Sequence, residues 1–351
     1  QVKTPRFYVD MPTFLHATGQ LGWDDAEGGA ELLYMNPSNP YLSSKTSALL
    51  FYIGNYTNNT LKTSFPVNFI GLLNHNLGEE PISVYGVNAI TEGETNFSNS
   101  STTDGESNIL NTSIDSALHP TYNGTSIYVL KDDFDSYYNQ FHIKLWGGVN
   151  QERDYQLGSF VVGKYWDAPN SPDLSLTMSR RFDGIKKQKT IGGKTLANIY
   201  YDGPTEWTMN GPNGTYKYPP FELDLATADD GTTFNQIAKS GLGRKGLRSW
   251  KLTFSYIAES DMWMDNEVSN TLTSDDVTPN DDIPNPMLSD DSFNFVWNCT
   301  LGGTLPFIFT DDKDSNAPDR YAICNFRGNS LSVTQVAFNT YSLSVTIDEV
   351  A

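Results

Sequence analysis

Cysteine is almost missing from this 351-residue chain, which holds only Cys299 and Cys324. Two thiols are too few to staple a small secreted scaffold, and their spacing fits no zinc pattern, so both are expected to be buried and free. Long apolar runs are missing too. No stretch approaches the roughly 18 to 20 residues of a membrane helix, so the chain reads as soluble, with no membrane insertion. Basic residues are scarce: 23 Lys and Arg face 42 Asp and Glu, a net charge of −19. That balance repels phosphate backbones and argues against general nucleic-acid binding, while keeping many copies from sticking before assembly. The opening QVKTPRFYVDMPTFLHATG has no apolar core flanked by charge, so no signal peptide is expected there, and a chain opening on Gln1 is expected to have a trimmed start.

Catalytic and cofactor signatures are equally sparse. No nucleophile elbow, phosphate loop, dinucleotide fingerprint or reactive Cys/His pairing is legible, which leaves an enzyme no residues to rest on and calls for no cofactor. The four histidines, His16, His75, His119 and His142, are scattered, and none stands at the i, i+4 spacing of a helical metal pair. His75, in NHNLG, is expected to brace a turn, and His142, between Phe141 and Ile143, to sit on the polar face of a strand. DDKDSNAPD imitates half a calcium loop with Asp312, Asp314 and Asn316. Ala317 stands where that loop needs glycine and Ile323 where it needs a bidentate acid, so a plain polar loop is expected. The pairs Asp275/Asp276 and Asp281/Asp282 could chelate a divalent ion or act as hydrolase carboxylates, but their polar surroundings lack the rigid support such work needs. Eight N-x-Ser/Thr sequons, at Asn55, Asn58, Asn96, Asn99, Asn111, Asn123, Asn213 and Asn298, carry little weight, because about five are expected from composition alone.

What is present is alternation. Tyr341, Leu343, Val345 and Ile347 alternate with Ser342, Ser344, Thr346 and Asp348, and Trp250, Leu252, Phe254 and Tyr256 with Lys251, Thr253 and Ser255. Leu174, Leu176 and Met178, then Phe221, Leu223 and Leu225, then Phe141, Ile143 and Leu145 follow the same rule. A period of two marks antiparallel strands with one face in a core and one in water, so the expected class is all-β. Aromatics at 13% supply large cores. Helical periodicity is confined to two short segments expected to plug the ends of a β-sandwich. In TTFNQIAKSGLG, Thr233 caps, Phe234, Ile237 and Ala238 share a face, and Gly241 ends the turn. In DDSFNFVWNCTLGG, Asp291 or Ser292 caps, Phe293, Val296, Trp297 and Thr300 line one face, and Gly302 terminates.

The length suits two domains. The boundary expected at WDAPNSPD divides the chain into an N-terminal β-sandwich over 1–168, with a polar insertion near 91–125, and a C-terminal β-sandwich over 169–351, with an acidic loop near 259–291. One charge feature runs against the rest. RRFDGIKKQK gathers Arg180, Arg181, Lys186, Lys187 and Lys189 in an acidic chain, which reads either as a solvated hairpin or as a basic patch docking on an acidic neighbour, such as another copy.

Several phrases occur in a fixed order: VNFIGLLNHNLG from Val67 to Gly78, LGSFVVGKYWDAP, a stretch ending in two glycines, RSWKLTFSYI, a helix leading to LPFIFTDD, and YSLSVTIDEV at the end. In that order, over roughly Phe51 to Val350, the chain resembles phage tail-associated virion proteins whose first half is a jelly roll similar to galactose-binding domains. The long insertions before Thr125 and after Glu259 depart from that pattern. The resemblance implies a non-catalytic structural component of a bacteriophage virion, associated with tail, neck or baseplate and assembled in the host cytoplasm. Its partners would be other copies of itself and other virion proteins. A host-surface glycan-binding module, with Tyr52, Tyr56 and Tyr122 as candidate aromatics, is the alternative, and a secreted polysaccharide-degrading enzyme ranks behind it.

Overall fold

The structure is a computed structural model that describes residues 3–18, 35, 41–43, 49–54, 65–73, 75, 81–87, 106–113, 126–130, 137–138, 140–145, 155–181, 185–199, 225–227, 233–235, 247–263, 291–315 and 320–350. The protein is all-β, as alternation predicts. Ten strands form its main sheet: β1 (Arg6–Asp10), β5 (Phe69–Leu73), β8 (Ser126–Val129), β12 (Ser159–Asp167), β13 (Thr177–Arg181), β18 (Leu247–Ala258), β19 (Phe307–Thr310), β20 (Tyr321–Phe326), β21 (Val333–Ala337) and β22 (Thr340–Glu349). Their spatial order is β13-β18-β22-β20-β19-β1-β12-β5-β8, with β21 beside β22, and every pairing is antiparallel. A second sheet runs β3 (Leu49–Gly54), β10 (Gln140–Leu145), β6 (Pro81–Val87) and β7 (Glu106–Ser113). Four two-stranded ribbons pair β2 (Tyr41–Ser43) with β11 (Tyr155–Leu157), β4 (Phe65–Pro66) with β9 (Tyr137–Tyr138), β14 (Ile185–Lys189) with β15 (Thr195–Ile199), and β16 (Leu225–Thr227) with β17 (Thr233–Asn235).

Strand β1 is the keystone of the main sheet. It pairs on one side with β12, Phe7 opposite Trp166, and on the other with β19, Phe7 opposite Phe309. The sheet therefore runs straight across the boundary expected at residue 168, and one core cluster draws on residues from both sides of it. Along β1 the side chains alternate between two cores. Phe7 and Val9 join the larger cluster, with Trp166, Trp250, Phe293, Phe307 and Phe326, while Tyr8 joins a smaller one on the opposite face, with Phe69, Ile308, Tyr321 and Ile323. Val84 of β6 belongs to the larger cluster, which places the second sheet against that face to complete a sandwich. Phe7 alone lies within 6.0 Å, ring centre to ring centre, of Trp166, Phe293, Phe307, Phe309 and Phe326. Each such aromatic pair contributes about 0.5–1.5 kcal/mol beyond the burial itself.

Close approach at this centre needs a residue without a Cβ. At Gly163, opposite Asp10, a Cβ would fall 2.3 Å from the Val9 carbonyl oxygen.

Helix Met11–Ala17 continues directly from β1. Asp10 sits at its N-cap and accepts from the Thr13 backbone N–H at 3.2 Å, and Pro12 occupies the first turn, where its missing N–H costs nothing. The expected helix at DDSFNFVWNCTLGG is present as Phe293–Cys299, with Ser292 at the cap position and Phe293, Val296 and Thr300 buried. Its exit is left-handed at Leu301 (φ 50°) and Gly302 (φ 66°). It lies over the middle of the sheet, against Phe7, Trp166 and Phe326, instead of plugging an end. A short helix, Glu259–Met262, follows β18. The helix expected from Thr233 is not formed at its start: Thr233–Asn235 is strand β17, where β-branched Thr233 pairs with Thr227 in extended backbone. Ile237, Ala238 and Gly241 lie outside the described residues.

Two of the alternation readings need correction. In β18, Trp250, Leu252 and Phe254 are buried as expected, but Tyr256 is 73% exposed. An irregularity between Phe254 and Ile257 shifts the pairing with β22, and Ile257 takes the inward place. At the sheet's outer end, Leu174 is in a turn and 95% exposed and Met178 on β13 is 51% exposed, with no layer over β13 among the described residues. In β22 the reading holds, with Leu343, Val345 and Ile347 buried and Tyr341 partly so. Phe141, Ile143 and Leu145 fall in strand β10 and Leu225 in β16, while Phe221 and Leu223 lie outside the described residues.

Candidate contact surface

The five basic residues singled out in the sequence fall on two strands consecutive in sequence. Arg180 and Arg181 end β13, the outermost strand at this end of the main sheet, opposite Arg248 and Leu247 of β18. Lys186, Lys187 and Lys189 lie on β14, which pairs with β15 in a separate two-stranded ribbon. All five are exposed. The ribbon turns through Thr190–Lys194: the Thr190 N–H donates to the Lys194 carbonyl at 2.8 Å, and the Gly193 N–H to the Thr190 carbonyl at 2.9 Å. Gly193 has φ +80°, a conformation that a side chain would strain.

Apolar side chains accompany this charge. Ile191 at the ribbon tip is fully exposed and Leu196 on β15 is 57% exposed, and earlier in the chain Leu174, in a turn, and Met178, on β13, are exposed as well. Among the described residues, half of the large apolar side chains left exposed belong to this one stretch of chain, which is a composition suited to contact with protein. Of the cations, Arg180, Lys186, Lys187, Lys189 and Lys194 form no ion pair among the described residues. Arg181 adds its field at Asp348, whose carboxyl is held below the usual range first by hydrogen bonds from Arg327 and to a smaller extent by Arg181. Lys194, Ile191 and Leu196 were not singled out in the sequence. The signal was available in KTIGGKT, a Gly-Gly turn between two short polar runs.

Arg248, across from Arg180, shows what a committed cation looks like in the same sheet. Its guanidinium donates to both oxygens of Glu349 at 2.9 and 3.0 Å and to the Tyr321 carbonyl at 2.6 Å, with Arg248 and Glu349 both buried. Arg6 is held similarly by Asp167, at 2.5 and 2.9 Å, with its guanidinium 3.8 Å from the centre of the Tyr165 ring.

The other candidates resolve as follows. His75 is fully buried, with Nε2 at 2.8 Å from the Ser126 hydroxyl, and burial pushes its pKa down to about 3. A neutral imidazole beside a serine is the raw material of nucleophilic catalysis. Here both side chains are sealed from solvent, and the pair ties the segment after β5 to β8. His16 is exposed in the last turn of its helix, His142 lies in β10, and His119 lies outside the described residues. Asp312 accepts from Lys3 at 3.0 Å and Asp311 from Arg320 at 3.1 Å, while Asp314 is exposed. Ile323 is buried in β20, and Asn316 and Ala317 lie outside the described residues. No group of three or more His, Cys, Asp or Glu side chains poised to hold a metal occurs among the described residues. Asp275, Asp276, Asp281 and Asp282 lie outside them, as do Tyr56 and Tyr122, while Tyr52 belongs to β3. Cys299 and Cys324 are both buried, and neither is part of a disulfide. Burial pushes the Asp10 carboxyl up to about 7, against hydrogen bonds from Thr13 and the Val162 N–H.

No helix among the described residues is long and apolar enough to cross a membrane. In comparisons with known proteins, no family model matches the chain and no curated protein matches it in sequence.

Proposed function

We propose that this chain is a non-catalytic structural component of a bacteriophage virion, associated with tail, neck or baseplate, that works through contacts among several copies of itself and with other virion proteins. The observation that carries the reading is the 174–199 stretch. Within one stretch of sequence it combines exposed Leu174, Met178, Ile191 and Leu196 with Arg180, Arg181, Lys186, Lys187 and Lys189, in a chain of net charge −19. Complementary charge orients docking and discourages wrong partners, while apolar contact supplies affinity that exposed ion pairs, at about 0.2–1 kcal/mol each, do not. The ordered phrases from Val67 to Val350 supply the virion setting, and buried thiols outside any disulfide suit folding in a reducing cytoplasm.

Mass spectrometry of purified particles tests this directly, with the chain expected at a fixed multiple copy number. A preparation lacking the chain would refute it. The variant carrying Arg180→Glu, Arg181→Glu, Lys186→Glu and Lys187→Glu should keep its melting temperature and lose incorporation. A second reading, host-glycan binding, draws on Tyr256 at 73% and Phe338 at 89% exposure, aromatic faces open to a sugar. Glycan-array binding that is lost in Tyr256→Ala or Phe338→Ala would favour it.

A further inference from the structure

Resting on the multi-copy reading above, we infer that the β14–β15 ribbon is an arm that docks onto the acidic surface of a second copy of this chain. Its first support is mechanical. Residues 186–197 are exposed along both strands and around the turn, and no atom lies within 4 Å of where a Cβ would sit at Gly192 or Gly193. A two-stranded ribbon is at best marginally stable alone in water and needs a third strand or an apolar support. Among the described residues this ribbon has neither, and it presents Ile191 and Leu196 to solvent. The arm is built to be completed from outside.

Charge selects what completes it. Residues 185–199 contain Lys186, Lys187, Lys189 and Lys194 and no acid, within a chain whose 42 acidic side chains outnumber its 23 Lys and Arg. Another copy of the same chain offers the complementary surface wherever its acids predominate. Ribbon against ribbon would bring like charges face to face, which is repulsive, so the arm meets a different part of its neighbour's surface. Nucleic acid is the poorer match, because the remainder of the chain repels phosphate. The tip Ile191 then supplies an anchor around which the lysines set direction, an apolar centre with a charged rim.

The test uses the full chain. In sedimentation at low ionic strength the protein should self-associate, and raising the salt should weaken association, since exposed charges are screened over about 10 Å at 0.1 M. The variant Lys186→Glu, Lys187→Glu, Lys189→Glu, Lys194→Glu should associate at least about tenfold more weakly with an unchanged thermal transition, and the matching Lys→Arg variant should retain association. Ile191→Ser should weaken association while preserving its salt dependence. Zero-length carbodiimide cross-linking of a mixture of ordinary and 15N-labelled chains should join ribbon lysines to acids of the other isotope. Cross-links confined to one chain would mean that the ribbon folds onto its own molecule, and would overturn the proposal. Unchanged association in the Lys→Glu variant would overturn it too, as would salt-dependent binding of duplex DNA without self-association. A chain that stays monomeric in solution but is found in purified particles defeats the self-docking arm and leaves the virion reading standing. One that is monomeric and absent from particles defeats both.

Discussion

Strands β1 and β13 are each five residues long and belong to the same antiparallel sheet, yet every residue of β1 is buried and every residue of β13 is exposed. Charge alone does not explain the contrast, since RFYVD carries two charges and TMSRR carries two, although Phe7, Tyr8 and Val9 give β1 more apolar surface than Met178 gives β13. Position decides it. In β1 the charges are matched in place, Arg6 by Asp167 and Asp10 by Thr13 and the Val162 N–H, and both faces have a core above them. In β13 the neighbour on one side is β18, and among the described residues no strand pairs on the other and neither face is covered. Burial here is conferred by what lies above and beside a strand.

The largest test of that contrast is at the centre. Phe7→Ala should cost about 3–5 kcal/mol in denaturant unfolding, because it empties a site ringed by five aromatics. A loss under 1 kcal/mol would remove β1 from the core. Leu343→Ala, fully buried in β22, should cost about 2–5 kcal/mol, and Val345→Asp should leave too little folded protein to assay.

A pH scan comes next. The folded pKa of Asp10, at about 7, is raised above the unfolded value of 3.8. The native state thus holds this proton longer than the unfolded chain does, so stability from this group is fully present below about pH 4 and is lost as pH rises toward 7. The slope is at most about 1.4 kcal/mol per pH unit. Asp10→Asn should flatten melting temperature against pH across that window, whereas an unaltered profile would assign the dependence elsewhere. Smallest of all, Met178→Ser, Leu196→Ser and Tyr256→Ser should each shift stability by no more than about 0.5 kcal/mol. Tyr256 stands two residues from buried Phe254, so a large effect there would restore strict alternation and contradict the irregularity in β18.

The same contrast explains what could be read from sequence. Strands β18 and β22 were legible because one face is apolar and the other carries Lys251, Thr253, Ser344 and Thr346, giving a clean period of two. Strands such as RFYVD, FIGLL and FIFT are buried on both faces and therefore show no alternation, so their central place was hidden. Helix Met11–Ala17 was missed because seven residues give barely two turns of periodicity, although Asp10 and Pro12 mark its start. On the contact surface, the charges were visible as a departure from an acidic background, and their exposure followed. The apolar half was not, because Leu174 and Met178 look like core residues until the missing layer above them is known. A hydrophobic side chain does not itself say whether it meets its own fold or another molecule.

The placement of β1 also fixes when this protein can finish folding. Its two sheet neighbours, β12 and β19, begin at Ser159 and Phe307, so β1 is completed only by strands that come much later in the sequence. At about 5–20 residues per second, the ribosome needs on the order of 15–60 s to travel from β1 to β19. For that interval Phe7, Tyr8 and Val9 are on a nascent chain that lacks the β19 side of their pairing, and pairing across so many residues is intrinsically slow afterwards. Yield at high expression temperature should therefore be limited by the fate of this waiting strand, and chaperone supply during synthesis should govern it more than the stability of the finished sheet.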